Sequence, residues 1–306
     1  MGRELKISCS LAWSCFIIGL TGSVQAQDLA LYVFDLQQET ATRITAEPLE
    51  GLRHCGASDW SPDGKRFLFD ATPGTQFNRT KMFVADFPIK EGAKFTDLGM
   101  GNCPNWSPDA KRISYLLNNG AVENAEAGIW TMTSNGAARE YLAGYGRPKW
   151  SPDGKRILTA SFGNPCRLSL IDIESKAEQV INLPGYQFIS VPSWAGDGKT
   201  IISVVQTNGP LTIALVDVSN PTEASIKQLL WCRGDGTTVS PTCPVYSSKL
   251  QRCAFSGRET KGLALYAFDV GRNPPRKLEE DLLDSNLSGL AMSPDGRYVL
   301  FVSSRK

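Results

Sequence analysis

One histidine, His54, limits the catalytic chemistry available to this 306-residue chain. A serine–histidine–aspartate triad would need this residue, and no Gly-x-Ser-x-Gly nucleophile motif accompanies it. A single histidine cannot build a multi-histidine metal site, and no Cys-x-x-Cys pair offers the ligand spacing of a zinc ribbon. The sequence therefore identifies no catalytic residue, and we expect neither a metal site nor a cofactor.

Carboxylates are the other side chains with catalytic potential, because two paired acids can cleave a glycan without any histidine. Four aspartates occur in Ser-Pro-Asp-Gly or a close variant, namely Asp63, Asp109, Asp153 and Asp295. An aspartate in such a turn bonds to nearby backbone amides, so we interpret these four as turn residues. Whether two other acids face each other depends on the fold that positions them.

The Ser-Pro-Asp-Gly turn belongs to a repeat that runs through the chain. Proline fixes φ at the second turn position and glycine accepts the left-handed conformation, so each copy predicts a β-hairpin. The residues before the turns form the column Trp60, Trp106, Trp150, Trp194, Tyr246 and Met292, spaced 44 to 52 residues apart. Seven residues later a second column reads Phe67, Ile113, Ile157, Ile201, Cys253 and Val299.

Short apolar strands lie between these hairpins, as in LYVFDL at Leu31, MFVADF at Met82 and LSLIDI at Leu168. With a weaker strand after each, they give four strands in every ~45 residues, which is the pattern of a β-propeller blade. We predict an all-β fold, a six-bladed β-propeller closed by N-terminal outer strands pairing with C-terminal inner strands.

The segments WSPDGKR at Trp60 and Trp150, WSPDAKR at Trp106 and MSPDGRY at Met292 resemble the TolB-like β-propeller repeat, also called the WD40-like repeat. The resemblance covers about residues 29–304 and implies the propeller fold. It implies no single activity, because propellers host many functions. Oligogalacturonate lyases resemble this fold but hold a metal with histidines, and this chain has one histidine.

The first 26 residues have the layout of a secretory signal peptide. Arg3 and Lys6 precede the apolar segment ISCSLAWSCFIIGL, and Val24 and Ala26 fit a cleavage site. An uncleaved anchor is the alternative, but this run is shorter than the ~20 residues of a membrane span. We predict a signal peptide over 1–26, a propeller domain over 27–306, and a periplasmic or secreted mature chain without a stable membrane span.

The balance of charges bears on the choice of partner. Lysine and arginine total 32 against 31 acidic residues, which gives no electrostatic case for nucleic acid. In a propeller, the longer and more variable connections lie on the face opposite the Ser-Pro-Asp-Gly turns, and we expect binding on this long-loop face. The candidates, which precede inner strands, are Arg53, His54, Asn102, Tyr145, Arg147 and Tyr186.

These observations predict a non-catalytic scaffold that binds a protein or peptide of the cell envelope. The alternative is a carboxylate-based glycan lyase or hydrolase with its site in the propeller channel, and a glycan would then be the partner.

Six cysteines follow the predicted signal peptide, and an exported protein permits disulfides. Two pairs are candidates for bridges: Cys55 with Cys103, which precede inner strands of adjacent blades, and Cys232 with Cys243, which bracket one loop. Cys166 has no evident partner. Cys253 occupies the apolar column, so a small buried side chain is expected there. We expect both Cys166 and Cys253 to be reduced.

Overall fold

The computed structural model describes residues 29–45, 51–52, 54–74, 76–90, 93–162, 165–232, 239–260, 262–282 and 290–303. The predicted signal peptide and Arg53 lie outside these ranges. The strands in chain order are β1 Ala30–Asp35, β2 Thr40–Arg43, β3 His54–Trp60, β4 Arg66–Thr72, β5 Lys81–Asp86, β6 Thr96–Met100, β7 Asn102–Trp106, β8 Arg112–Leu117, β9 Gly128–Thr133, β10 Glu140–Ala143, β11 Arg147–Trp150, β12 Arg156–Ala160, β13 Leu168–Asp172, β14 Glu178–Val180, β15 Gln187–Phe188, β16 Ser193–Trp194, β17 Thr200–Gln206, β18 Thr212–Asp217, β19 Ser225–Cys232, β20 Ser240–Ser247, β21 Arg252–Glu259, β22 Gly262–Asp269, β23 Arg276–Leu282, β24 Ala291–Met292 and β25 Tyr298–Ser303. Two 3-10 helices, Phe77–Arg79 and Pro221–Glu223, complete the described elements.

These strands form six antiparallel sheets, which are the blades of a propeller. We number the blades in chain order: blade 1 is β3–β6, blade 2 is β7–β10, blade 3 is β11–β14, blade 4 is β15–β19, blade 5 is β20–β23, and blade 6 contains β24, β25, β1 and β2. In blade 4 the inner strand is divided, and both β15 and β16 pair with β17. The all-β, six-bladed propeller predicted from the repeat is confirmed.

Blade 6 combines strands from both ends of the described chain. Strand β1 pairs antiparallel with β25, with Ala30 opposite Ser303 and Asp35 opposite Tyr298. The Arg297 guanidinium donates hydrogen bonds to both carboxylate oxygens of Asp35, the shortest at 2.7 Å. This ion pair joins the turn at the start of β25 to the end of β1.

The Ser-Pro-Asp-Gly segments form the turns that their sequence predicts. In the first copy the Asp63 carboxylate accepts from the Ser61 hydroxyl at 2.6 Å and from the Lys65 backbone N–H at 3.0 Å. The same pair of bonds recurs at Asp109, Asp153 and Asp295. The four aspartates are therefore turn residues, as the sequence indicates.

Hydrophobic clusters fill the spaces between neighbouring blades. Successive residues of a strand point to opposite faces of its sheet, so one strand serves two interfaces. Phe67 and Phe69 of β4 pack toward blade 6, whereas Leu68 packs toward blade 2. The apolar column is fully buried in all six blades, and Cys253 is 0% exposed, which confirms its expected role as a small core side chain.

Arginines of one blade stack on tryptophans of the column in the next blade. The Arg66 guanidinium lies over the ring of Trp106 at 4.7 Å, and Arg112 lies over Trp150 at the same distance. Arginines stack favourably on aromatic faces in this way. The arginines that follow the first two turns therefore pack against the next blade.

Candidate functional site

Three residues form a hydrogen-bonded chain on the long-loop face. The carbonyl oxygen of Phe77, in the 3-10 helix of blade 1, accepts from the Asn118 amide at 2.9 Å. Asn118 follows β8 in blade 2, and its side-chain oxygen accepts from the Tyr145 hydroxyl at 2.5 Å. Tyr145 lies in the connection to blade 3. Three consecutive blades are therefore linked through their loops.

Two ring contacts of Phe162 extend this chain into blade 3. The ring of Tyr145 lies 5.5 Å from that of Phe162, which follows β12. The guanidinium of Arg147, the first residue of β11, lies over the Phe162 ring, 4.8 Å from the ring centroid. Tyr145 nevertheless remains 45% exposed. We call Asn118, Tyr145, Arg147 and Phe162 the long-loop cluster.

The predicted binding residues are distributed unevenly around this cluster. Tyr145 and Arg147 belong to it, and the Asn102 amide donates to the same Phe77 carbonyl at 3.4 Å. His54 is half-buried at the start of β3, where its backbone bridges to Leu29. Tyr186 packs against the core between blades 3 and 4, away from the cluster. Arg53 lies outside the described residues.

The cluster also contains two residues that the sequence did not indicate, Asn118 and Phe162. Both follow the second strand of a blade, at the long-loop end. Their contacts with Tyr145 depend on how neighbouring blades are placed around the axis. The only sequence signal for them is their position in long connections on the expected face.

Asp70 is a buried carboxylate at the junction of blades 1 and 2. It is 6% exposed, and one carboxylate oxygen accepts the Cys103 backbone N–H of blade 2 at 2.7 Å. The other oxygen lies so close to Gly56 that an added Cβ there would be 2.0 Å away. Burial raises the pKa of Asp70 to about 7, although hydrogen bonds from the Cys103 and Ala57 amides lower it.

Asp59 also accepts a backbone N–H of blade 2, nearer the turn face. Its carboxylate accepts the Trp106 backbone N–H of blade 2 at 2.8 Å. The next residue in the ring, Asn105, repeats this arrangement by accepting the Trp150 backbone N–H of blade 3 at 2.6 Å. Burial raises the pKa of Asp59, and the nearby Lys149 charge opposes that rise.

These two acids lie on the same blade and serve the backbone of the next one. The inner edge of β7 cannot pair with a further strand, so its amides need other acceptors. Asp59 and Asp70 supply them at Trp106 and Cys103. The arrangement accounts structurally for both carboxylates, and it differs from two acids facing each other across a substrate.

A cavity of about 350 Å³ lies on the propeller axis at the turn face. All six blades contribute inner-strand residues to it, and blades 1, 2, 3 and 6 also contribute their turn prolines. Its size is within the range of small-molecule sites, which begin at roughly 300 Å³. The sequence predicts binding on the opposite face, and only the alternative glycan-cleaving function places a site in the propeller channel.

The predicted disulfides are not formed in the structure. Cys55, Cys103 and Cys243 are free thiols, so neither the Cys55–Cys103 nor the Cys232–Cys243 bridge is present. The Cys55 sulfur lies 3.7 Å from the Thr45 hydroxyl instead. Burial raises the pKa of the Cys55 thiol to about 11 and that of Cys103 to about 12. Cys166 and Cys253 are also free thiols in the structure.

Metal-binding and membrane-spanning features bear on the kind of site that this chain offers. Within the described ranges, no group of three or more histidine, cysteine, aspartate and glutamate side chains is arranged to hold a metal ion. In the same part of the chain, no helix has both the length and the apolar character required to cross a membrane.

Comparisons with known proteins relate this architecture to solved structures. No sequence profile of a known family matches the chain, and no curated protein matches it. A putative TolB from Agrobacterium tumefaciens matches with a TM-score of 0.67 and 17% identity, over 90% of this chain and 98% of that one. TolB from Acinetobacter baumannii matches with a TM-score of 0.58 and 17% identity, over 92% of this chain. The match spans 64% of that TolB.

An enzyme shares the same architecture. Oligogalacturonate lyase from Vibrio parahaemolyticus matches with a TM-score of 0.58 and 15% identity, over 90% of this chain and 94% of the lyase. At such identities the likeness concerns the fold alone. The chain has the six-bladed propeller fold of the TolB structures, which the Ser-Pro-Asp-Gly repeat predicts.

Proposed function

We propose that this protein is a non-catalytic scaffold that binds a protein or peptide through the long-loop cluster. The observation that carries the proposal is Tyr145, which is 45% exposed yet fixed by the Asn118 amide oxygen and the Phe162 ring. An exposed aromatic side chain that is already held in place loses little conformational freedom on binding. Tyrosine and arginine are also the residue types that dominate protein interfaces.

The surroundings of Tyr145 support binding rather than a purely structural role. Arg147 brings a permanent positive charge next to the two aromatic rings, and its stacking on Phe162 limits its motion. The cluster is assembled from residues of blades 2 and 3 and of the connection between them, so it does not depend on the stability of one loop. A partner with an acidic or acceptor-rich segment beside an apolar side chain would complement it.

The setting of this function is also part of the proposal. Residues 1–26 would direct export, and 27–306 would act as one propeller domain in the periplasm or outside the cell. An envelope protein or peptide is then the expected partner. The propeller fold shared with the TolB structures is consistent with a scaffold of this kind.

The alternative function is glycan cleavage by channel carboxylates, and one comparison favours it. The lyase from Vibrio parahaemolyticus has the same fold. The arrangement of acids argues against it, because Asp59 and Asp70 lie on one blade and accept backbone amides of the next. We therefore rank the binding function above it.

Affinity capture with matched variants tests the proposed function. The purified protein is immobilised and exposed to envelope extract, beside Tyr145→Ala and the control Lys155→Ala, which lies on the opposite face. We expect a captured protein that Tyr145→Ala loses and Lys155→Ala retains. Capture that is equal for all three proteins, or that Lys155→Ala alone loses, would contradict binding at the long-loop cluster.

A further inference from the structure

Arg147 is the one charged side chain of the long-loop cluster. Its guanidinium lies over the Phe162 ring, 4.8 Å from the ring centroid, and the same ring contacts Tyr145. The Nε atom of Arg147 is buried, although the residue as a whole is partly exposed. A cation in this position is partly removed from water, so a nearby negative charge acts on it more strongly than it would in solvent.

The fold places Arg147 close to the level of Cys103 along the propeller axis. Each residue lies three positions before the tryptophan of its inner strand, which is Trp150 in blade 3 and Trp106 in blade 2. A side chain to backbone hydrogen bond of 2.6 Å joins these two strands. The Arg147 side chain therefore starts one blade away from the backbone N–H that binds Asp70.

Electrostatic effects connect Arg147 to three buried groups. Burial raises the pKa of Asp70, Cys103 and Cys166, and the positive charge of Arg147 opposes the rise in each case. Because charge effects fall with distance, the guanidinium lies near all three groups. Asp70 is the only acid among them that ionises near neutral pH, since its pKa is about 7 and those of the two thiols are about 12 and about 11.

Other titratable or charged groups lie beside Asp70 or the two residues that follow it: His54 and Cys55 of β3, Lys81 of β5 and Cys103 of β7. Lys81 is already paired with Asp97 at 2.8 Å. Burial raises the pKa of the Cys55 thiol to about 11, so it remains neutral. Among the described groups, Arg147 is therefore the cation that an ionised Asp70 attracts. His54 needs a control, because histidine ordinarily titrates near neutral pH.

The Phe162 ring and the Asp70 carboxylate compete for the same guanidinium. Asp70 is 6% exposed, so water does little to stabilise its ionised form. A charge-assisted hydrogen bond between a guanidinium and a carboxylate is stronger than stacking on an aromatic ring. The carboxylate offers this stronger bond only when it has lost its proton, which makes the position of Arg147 sensitive to pH.

We propose that Asp70 switches the long-loop cluster through Arg147. While Asp70 is protonated, the guanidinium lies over Phe162 and its charge is available to a partner at Tyr145. Once Asp70 is ionised, the guanidinium turns to the carboxylate and the cluster loses that charge. The consequence, which rests on the function proposed for this cluster, is that an acidic partner binds more tightly below pH ~7 than above it.

Side-chain ¹H–¹³C NMR of the whole protein tests the switch without any partner. The δ-methylene signal of Arg147, assigned with Arg147→Lys, reports on its position, because the Phe162 ring current shifts this signal while the two are stacked. We expect the signal to move between pH 5 and pH 8.5 with a midpoint near pH 7. In Asp70→Asn it should stay at its acidic position throughout. Asp70→Ser, which has the blade 5 residue at this place, is a second neutral variant.

Two controls separate the switch from other effects of pH. The δ-methylene signal of Arg112, which stacks on Trp150 away from Asp70, should stay in place. His54→Gln should keep the wild-type movement of the Arg147 signal. The proposal is overturned if that signal does not move in the wild type, if it moves equally in a folded neutral variant of Asp70, if His54→Gln abolishes the movement, or if Arg112 moves with it. A switch that fails in this way leaves capture by Tyr145 untouched, and failed capture leaves the NMR result untouched.

Discussion

The carboxylate of Asp70 in blade 1 accepts the backbone N–H of Cys103 in blade 2 at 2.7 Å, at the junction of two inner strands. The corresponding place in the other blades is held by Leu116, Ala160, Val204, Ser256 and Val302, so blade 1 alone places an acid there. The bond gives one amide of the inner edge of β7 an acceptor, but it buries an ionisable group in the process.

This burial predicts a pH-dependent stability. The pKa of Asp70 is raised from 3.8 to about 7 in the folded protein. The stabilisation by protonated Asp70 is therefore fully present below pH ~4 and is lost as the pH rises through ~7. Between these two pH values the folded state retains the proton on Asp70 and the unfolded state has released it. The free energy of unfolding should fall by up to about 4 kcal/mol over this range. Asp70→Asn should remove this component.

Urea denaturation at pH 5 and pH 8 measures the effect for the wild type, Asp70→Asn and the control Asp63→Asn. Asp63 is exposed in its turn, and hydrogen bonds from Ser61 lower its pKa, so it does not titrate in this window. The control should keep the wild-type pH dependence. An Asp70→Asn protein with the same difference between the two pH values would show that Asp70 is not the titrating group.

Ala110 stands where three other turns have glycine, and its φ of 58° is left-handed. A Cβ in this conformation costs roughly 1–2 kcal/mol. We expect Ala110→Gly to stabilise the protein by about 1 kcal/mol, less the added entropy of the unfolded chain. Chemical denaturation measures it, with Gly64→Ala as the reciprocal variant, which should destabilise. A loss of stability in Ala110→Gly would refute this explanation.

The ion pair between Asp35 and Arg297 should contribute to the stability of blade 6. Asp35 is 8% exposed, and the pair has two-point geometry. Arg297→Met should therefore lower the melting temperature and the urea midpoint of unfolding. The matched control is Arg276→Met, which breaks a more exposed pair with Glu39 and should lower both by less. Equal losses in thermal or urea unfolding would argue against a special role for Arg297.

The repeat made the fold predictable, because four of the six blades carry the Ser-Pro-Asp turn and all six carry the buried apolar column. Proline, glycine and the turn aspartate act within a few residues of each other, and the buried column at Phe67 recurs with the blade period. Ala110 shows that the pattern tolerates a deviation, since the turn forms around a left-handed alanine.

The sites were less predictable, because they depend on contacts between blades. Tyr145 and Asn118 are 27 residues apart, and their bond depends on the loop geometry at one blade junction. Asp70 looks like an ordinary strand residue until Cys103 of the next blade is placed beside it. The indole N–H of Trp106 has no hydrogen-bond partner among the described residues, whereas that of Trp60 donates to Ala291, and the nearly identical motifs at the two positions do not reveal this difference.

The central claim, that a partner binds at the long-loop cluster, is tested most directly by site-specific photo-cross-linking. A benzophenone amino acid is placed at position 144, beside Tyr145, in one protein and at position 155 in another, and each is irradiated in envelope extract. A side chain fits at position 144, because a Cβ added to Gly144 meets no atom within 4 Å. We predict one dominant cross-linked partner at position 144, lost when excess unmodified protein competes, and none at position 155. A partner that cross-links only from position 155, or no adduct at position 144, would contradict the claim.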